Sequence, residues 1–310
     1  MNNKLDFSKP LVVLAPLAGY TDLPFRSVVK KFGADLTISE MISSNALVYK
    51  SARTLKMIEK SPTEDPYFVQ IAGNSVDLVK AAVEILNDVE GIDGIDLNCG
   101  CPAPKVFNHG SGSNLLGDLK KLEEILSTVK KYSKKQYTSA KVRLGVNEKI
   151  PVEIGKAVEA CGVDFVSVHG RTRAGKYKAP VDYDAIKMMK EAVSIPVIAN
   201  GDIKDYEKAK EVLEYTKANG VMIGRGAIGK PWVFYQLKHG IENISNEKKK
   251  EIILEHYDAM LKFHGPHGAI MFRKLLHAYS KGYTGANEFR DIVNKISDVD
   301  VMRDMIENFF

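Results

Sequence analysis

The sequence predicts an α/β fold of the (β/α)8 TIM-barrel class, followed by a small all-helical region. Eight short β-rich runs alternate with helical patterns over roughly the first 235 residues, as strand–helix units require. Most of these runs are almost continuously apolar, which is typical of parallel strands covered by helices. Near residue 240 the pattern becomes polar and then only helical. We therefore expect a barrel over residues 1–240 and a helical domain over residues 241–310.

The expected strands are short and evenly distributed along the first domain. They lie at residues 11–16, 36–40, 68–72, 95–98, 140–144, 165–169, 196–200 and 221–224. The clearest amphipathic helices between them lie at residues 76–86, 119–131, 154–160 and 183–192. A doubly wound sheet is the alternative fold, but no Gly-x-Gly-x-x-Gly turn follows the first strand.

Composition indicates a soluble globular protein of ordinary type. No run of about 18 uncharged apolar residues is present, so we expect no membrane span. The first residues lack the apolar core of a signal peptide, and three unevenly spaced cysteines are typical of a reducing compartment. We therefore expect a cytoplasmic protein. The net charge of +5 is too small to decide whether the protein binds nucleic acid.

The segment around Cys101 is the most informative motif for chemistry. The run 94–98 reads as a buried strand, so Cys101 should lie on the loop just after it. In a parallel barrel that loop belongs to the catalytic face. A thiol there can donate a proton or attack an electrophile. Cys99 and Cys161 read as packing thiols, and the Cys-x-Cys spacing with no second pair disfavours zinc, so no metal is expected.

Polar and glycine residues follow most of the other strands. Lys141 and Arg143 should lie on the same side of their strand, because side chains alternate with a period of two. The ends of the last two strands, 200–202 and 224–226, are where barrels often bind phosphate. A barrel lysine can also serve an internal salt bridge, and His169 can be a core histidine bonded to the backbone.

Taken together, these strand ends resemble the tRNA-dihydrouridine synthases, FMN-dependent enzymes that reduce a uracil base in tRNA. The resemblance covers nearly the whole chain, with Leu17 where the family usually has Met. Seven motifs carry it, in order: Ala-Pro-Leu-Ala-Gly-Tyr-Thr-Asp at 15–22, Asn-Cys-Gly-Cys-Pro-Ala-Pro-Lys at 98–105, Lys-Val-Arg-Leu-Gly at 141–145, His-Gly-Arg-Thr-Arg at 169–173, Asn-Gly-Asp at 200–202, Gly-Arg-Gly at 224–226, and the helical pair Phe-Arg-Lys at 272–274 with Tyr-Ser-Lys-Gly at 279–282.

The resemblance implies reduction of the C5–C6 bond of specific tRNA uridines by a monomeric enzyme that uses FMN and NADPH or NADH. It implies that Cys101 donates the proton to C5. The residues expected around FMN are Pro16, Leu17, Ala18, Gln70, Lys141, His169, Asn200, Gly201, Asp202, Gly224 and Arg225. Those expected to face the uridine or the tRNA are Asn98, Arg143, Arg171, Arg173, Tyr177, Arg273, Lys274 and Lys281.

A thiol suits the final protonation, because the ordinary cysteine pKa of about 8.5 keeps the group mostly protonated near pH 7.

Two other functions remain open at this point. An FMN barrel reductase of small molecules, of the dihydroorotate-dehydrogenase kind, would share the phosphate site and the proton donor. Flavin turnover by a free pyrimidine would favour that enzyme. A tRNA-binding protein without catalysis is the other alternative, and a colourless purified protein would favour it.

Overall fold

Parallel strands form a single sheet in the computed structural model, which describes residues 4–310. Eight strands follow one another around a barrel in the order β1-β9-β8-β7-β6-β5-β4-β2, and one bridge from Val13 to Leu36 joins β1 to β2. The short strand β3 pairs with β4 beside β2. The strands are β1 Leu11–Leu14, β2 Thr37–Ile38, β3 Ile42–Ser43, β4 Tyr67–Ala72, β5 Gly94–Cys99, β6 Tyr137–Arg143, β7 Phe165–His169, β8 Val197–Asn200 and β9 Gly220–Ile223.

This topology confirms the predicted TIM barrel, and the doubly wound alternative is wrong. Two details differ from the sequence prediction. Within the strand expected at 36–40 the structure has only the two-residue strand β2, and a second short strand, β3, follows outside that range. Strand β6 begins at Tyr137, three residues before the predicted 140. The prediction left out Thr138 and Ser139 because they are polar, yet both are buried within the strand. Their hydroxyls bond to Asp164 and Asp96, so polarity here does not mark a loop.

Helices cover the outside of the barrel and build the C-terminal region. Several begin after an Asp or Ser whose side chain accepts a backbone N–H, as at Asp22, Ser75 and Asp118. The helices are α1 Leu23–Lys31, α2 Ser44–Val48, α3 Ala52–Met57, α4 Val76–Asn87, α5 Pro104–Phe107, α6 Leu119–Tyr132, α7 Pro151–Ala160, α8 Tyr183–Ala192, α9 Tyr206–Thr216, α10 Val233–His239, α11 Asn246–His264, α12 His267–Tyr279, α13 Ala286–Val293 and α14 Val299–Phe309.

The interior of the barrel changes character along its axis. Nine buried apolar side chains, including Phe68, Phe165 and Met222, form one cluster inside the strands. Further toward the carboxyl ends the interior is polar, with Gln70 and Asp96 hydrogen-bonded to each other. Apolar packing therefore stabilises the barrel, while the polar layer faces the end where barrel enzymes place their sites.

Helices α11–α14 form a second hydrophobic cluster around Tyr257, Phe272 and Tyr279. Val28 of α1 and Phe32 just after it belong to the same cluster, so the helical region packs on that side of the barrel. Lys274 of α12 also donates to the carbonyl of Gly19, 2.5 Å away. The helical region therefore contacts the loop that follows β1.

Within residues 4–310, no helix combines the length and apolar character needed to cross a membrane.

A buried ion pair lies beneath that first loop. Arg26 Nε donates to Glu64 Oε1 at 2.7 Å, and both side chains are almost fully buried. Arg26 also donates to the carbonyl of Thr21, while Glu64 accepts from the Thr37 hydroxyl and the Ser61 amide. This network connects α1 and β2 to the loop after β1.

We expect Glu64→Gln to lower the free energy of unfolding by about 3–5 kcal/mol, because the Arg26 guanidinium is then buried without its counter-charge. Urea unfolding of the purified protein measures the change. Glu124→Gln is the matched control, since Glu124 pairs with Lys121 on the exposed face of α6. That variant should lose no more than about 1 kcal/mol. Similar losses in the two variants would contradict the expectation.

Candidate active site

A cavity of about 1250 Å³ opens at the carboxyl ends of the barrel strands and extends to α11 and α12. Most of the side chains predicted from the sequence line it. These are Pro16, Leu17, Ala18, Gln70, Asn98, Cys101, Lys141, Arg143, His169, Tyr177, Asn200, Gly201, Asp202, Gly224, Arg225 and Lys281. The other four predicted residues, Arg171, Arg173, Arg273 and Lys274, lie outside this lining.

The loop that carries Cys101 is fixed by three side chains. Asn98 Oδ1 accepts from the backbone N–H groups of Gly100 and Cys101, at 3.1 and 2.9 Å. Arg143 Nε donates to the Gly100 carbonyl at 2.7 Å, and the Ser113 hydroxyl donates to the Cys101 carbonyl at 2.8 Å. Cys101 is partly exposed to the cavity. Its thiol is therefore held on a well-defined loop and remains accessible.

The other two thiols lie away from the cavity. Cys99 is fully buried in the hydrophobic cluster between the strands and the covering helices, and Cys161 is 8% exposed at the end of α7. Both positions agree with the packing role expected from the sequence. Burial raises the pKa of both thiols. Cys101 is therefore the one thiol in the described chain that can meet a ligand in this cavity.

Lys141 lies inside the barrel mouth and donates to Asn200 Oδ1 at 3.1 Å. Asn200 in turn donates to the Met222 carbonyl, which fixes its amide orientation. Burial, with a contribution from the neighbouring Arg143 charge, lowers the pKa of Lys141 to about 8. No carboxylate among residues 4–310 pairs with its ammonium group. Lys141 is thus an available positive charge at pH 7, in place of the internal salt bridge considered above.

His169 is a neutral donor in this site. Burial and the nearby cations, first among them Lys141, lower the pKa of His169 far below its usual value. Arg171 can only donate, and its Nη1 lies 3.3 Å from His169 Nε2. The imidazole proton is therefore on Nδ1. His169 also lies beside the Tyr177 ring, with centroids 6.2 Å apart.

Arg143 connects two loops of the site. Its Nη1 donates to the carbonyls of Thr172 and Lys176, each at 3.0 Å, while its Nε holds Gly100. The guanidinium also lies 5.5 Å from the centre of the Tyr177 ring. Arg143 therefore supports the Cys101 loop in addition to lining the cavity.

Asp202 lies in a constrained turn at the end of β8. Its φ is 47°, in the left-handed region, and that of Gly201 is 133°. Arg171 holds the carboxylate through both terminal nitrogens, at 3.1 and 2.5 Å, and Arg225 approaches it at 3.1 Å. The Arg171 guanidinium is thus engaged inside the wall of the site. Its contact with tRNA stays a prediction.

The remaining predicted cations lie on the periphery. Arg173 packs over the Phe107 ring of α5 at 3.7 Å, and Arg273 donates to the Ile296 carbonyl. Lys274 contacts the loop after β1, as described above. Lys281 alone among the three helical-domain residues predicted to bind tRNA lines the cavity. The roles proposed for these cations from the sequence stay predictions.

Two glycines allow the last strand-end loops to approach one another. A Cβ at Gly224 would lie 3.3 Å from the Ala15 side chain, so the loops after β9 and β1 meet closely there. A Cβ at Gly226 would lie 2.1 Å from the Ile203 carbonyl oxygen. Gly226 is therefore required by backbone packing against the loop after β8, besides any contact with an anion.

The sequence analysis missed several residues of the lining. Met41 follows the second strand and could have been found from its strand-end position. Trp232, Lys249, Tyr279 and Tyr283 come from segments whose docking on the barrel cannot be read from spacing.

The lining as a whole carries an excess of positive charge. It contains one carboxylate, Asp202, and seven lysine and arginine side chains: Lys141, Arg143, Lys204, Arg225, Lys230, Lys249 and Lys281. The cavity is therefore suited to an anionic ligand.

Solved structures share the barrel fold. A morphinone reductase mutant in complex with tetrahydroNAD has a TM-score of 0.56 at 11% identity, over 74% of this chain and 86% of that one. A variant of NCR from Zymomonas mobilis has a TM-score of 0.52 at 16% identity, over 82% of this chain and 92% of that one. At such identities the likeness shows the fold alone.

Sequence relatives are much closer. A probable tRNA-dihydrouridine synthase of Helicobacter pylori is 53% identical over 308 residues, which cover 99% of this chain and 94% of the relative. A tRNA-dihydrouridine synthase B of Vibrio parahaemolyticus is 39% identical over 96% of this chain and 95% of its own length. The family model described as Dihydrouridine synthase (Dus) matches residues 13–310. With its barrel, its Cys101 loop and these matches over nearly the whole length, the chain belongs to the dihydrouridine synthase family of enzymes.

Proposed function

We propose that this enzyme reduces the C5–C6 bond of uridines in tRNA to give 5,6-dihydrouridine, with FMN as cofactor and NADPH or NADH as reductant. The observation that carries the proposal is the placement of an accessible thiol, Cys101, in the same cavity as Lys141, a cation that forms no ion pair with a carboxylate of residues 4–310. A double-bond reduction needs a proton donor and a group that stabilises negative charge on the substrate. The names of the close relatives support the choice of tRNA as substrate.

The residues of the cavity fit FMN. Pro16, Leu17 and Met222 supply apolar surface for a flat ring, and Arg225 with the loop at Gly201 supplies charge and backbone donors for a phosphate. Lys141 can donate to the polar edge of the ring. When bound, FMN would supply the hydride that saturates one carbon of the double bond.

The protein's own side chains would complete the reaction on the uracil. Cys101 would donate a proton to C5. Lys141 and the Nδ1–H group of His169 would stabilise the negative charge that develops on the base carbonyls, in a site where burial strengthens such interactions. Arg143 and Asn98 would keep the Cys101 loop in place through the hydrogen bonds described above.

The tRNA would be held at the rim of the cavity and by residues 241–310. Lys249 and Lys281 of the helical region and Lys230 of the barrel line the outer part of the cavity, where phosphates can pair with them. The target base must leave its stack to reach the interior. A tRNA substrate also favours action in the cytoplasm.

Flavin absorbance tests the proposal directly. The purified protein, supplied with FMN, is reduced anaerobically with NADPH or NADH and then mixed with tRNA that lacks dihydrouridine. We expect tRNA, and not free uridine, to reoxidise the flavin, and the treated tRNA to contain dihydrouridine. Reoxidation by a free pyrimidine but not by tRNA would replace the proposal with a small-molecule reductase. Absence of any bound flavin would overturn the cofactor.

A further inference from the structure

A chain of buried hydrogen bonds runs from the barrel interior to the loop of Cys101. Asp96 on β5 accepts from the Ser139 hydroxyl at 2.6 Å and from Gln70 Nε2 at 2.7 Å. Gln70 Oε1 accepts from Asn98 Nδ2 at 2.8 Å. Asn98 Oδ1 then accepts from the backbone N–H groups that lead into Cys101. Asp96 is fully buried and does not line the cavity.

The direction of this chain is set at Asp96. Burial raises the pKa of Asp96 to about 6, so the group is mostly a carboxylate at pH 7 and in that form can only accept. Gln70 must therefore turn its NH₂ group toward Asp96 and its oxygen toward Asn98. Asn98 must turn its NH₂ group toward Gln70, which leaves its oxygen for the backbone of the Cys101 loop. Reversing either amide would place two donors or two acceptors face to face.

Strand register keeps the members of the chain adjacent. Asp96 pairs with Gln70 of β4 on one side and with Ser139 of β6 on the other. Asn98 follows two residues later and so points to the same interior face. The four side chains thus stand on three neighbouring strands, with no loop among them.

We propose that Asp96 is a positioning residue for the reaction: it fixes the amide orientations of Gln70 and Asn98 and thereby the placement of Cys101. The proposal rests on the proposed function only for the role of Cys101 as proton donor. The placement of the loop itself can be measured in the apoprotein.

Exchanging the two groups provides the test. Gln70→Glu alone places a second carboxylate within hydrogen-bond distance of Asp96, where two like charges repel each other. Adding Asp96→Asn restores every bond of the chain: the new NH₂ group at 96 donates to the carboxylate at 70, which still accepts from Asn98. The charge of the interior also returns to that of the parent protein. Thr128→Val is the matched control, because it removes a buried hydroxyl hydrogen bond, to the Glu124 carbonyl within α6, away from the cavity lining.

The first measurement is the rate of alkylation of Cys101 by iodoacetamide in the apoprotein, with the modified site identified by mass spectrometry. Cys99 and Cys161 are buried and should react slowly. We expect a faster reaction in Gln70→Glu than in the parent, and a return toward the parent rate in Gln70→Glu/Asp96→Asn. Thr128→Val should react at the parent rate. Thermal unfolding of each variant shows whether the fold is retained.

The second measurement is kcat and KM for dihydrouridine formation. A misplaced group can cost about 10²-fold in rate, so we expect a loss of up to that size in kcat for Gln70→Glu and its partial recovery in the double variant. Equal alkylation rates in Gln70→Glu and the double variant, with both folded, would overturn the proposal. Normal alkylation behaviour in a protein that does not act on tRNA would instead overturn the proposed function alone.

Discussion

Cys101→Ala is expected to keep its affinity for FMN and tRNA while losing about 10²–10⁴-fold in the rate of dihydrouridine formation, the contribution typical of a general acid. The side chain makes no hydrogen bond that supports its loop, because the loop is held by Asn98, Arg143 and Ser113 through backbone atoms. Removing the sulfur should therefore remove the proton donor and leave the surrounding structure unchanged. Single-turnover measurement of dihydrouridine in tRNA gives the rate.

Cys161→Ala is the matched control for that variant. Its thiol is buried at the end of α7 and donates to the Ala157 carbonyl, far from the cavity lining. It should turn over at the parent rate. Reduction of the flavin by NADPH should be normal in both variants, since that step does not need the proton at C5. Equal rates of dihydrouridine formation in Cys101→Ala and the parent would remove Cys101 from its proposed role.

The sequence was sufficient to predict that residues from the ends of different strands meet at one cavity, for a geometric reason. In a parallel barrel all strands end on the same face, so a residue just after any strand lies near the residues after the others. Cys101 follows β5, His169 ends β7 and Asp202 follows β8, and all three line the cavity. No information on the loops or helices was needed for this step.

The partners of these residues were harder to predict. Arg171 is predicted to face the uridine or the tRNA, yet its side chain is only 4% exposed and holds Asp202, which lies 31 residues further along the chain. Such a pairing depends on the path of two loops, which the strand pattern does not specify. Lys249 reaches the cavity because the helical region docks against α1, and Trp232, just before α10, packs in the same hydrophobic cluster. The apolar face that directs this docking gives no position or angle.

The polar interior of the barrel is a related case. Asp96 and Ser139 stand in runs that look apolar or mixed, and a carboxylate in a strand usually indicates an exposed face. Here the carboxylate is buried because Ser139 and Gln70 both donate to it. The hydrogen-bonded group around Cys101 therefore extends into the barrel as far as Asp96. The sequence pattern at the strand end indicates only the residues of this group that lie near the cavity.

Lys141→Met should lower kcat for dihydrouridine formation by about 10²–10³-fold, the usual cost of removing one group that stabilises charge in the transition state. Because burial lowers the pKa of Lys141 to about 8, its positive charge is present at pH 7 and mostly lost at about pH 9. The rate of the parent enzyme should therefore fall as the pH rises through about 8. Lys141→Met should be slow on both sides of that range.

Lys141→Arg separates the lysine from other groups that titrate in the same range. A guanidinium stays charged up to about pH 12, so this variant should lose the contribution of residue 141 to that fall and keep only the part that comes from ionisation of the general acid, even if its larger group lowers the rate at every pH. Lys121→Met, on the exposed face of α6, controls for the loss of a positive charge and should match the parent. A fall through pH 8 that is unchanged in Lys141→Arg would assign the whole titration to another residue. A parent-like rate in Lys141→Met would show that the unpaired cation at the barrel mouth does not act on the substrate.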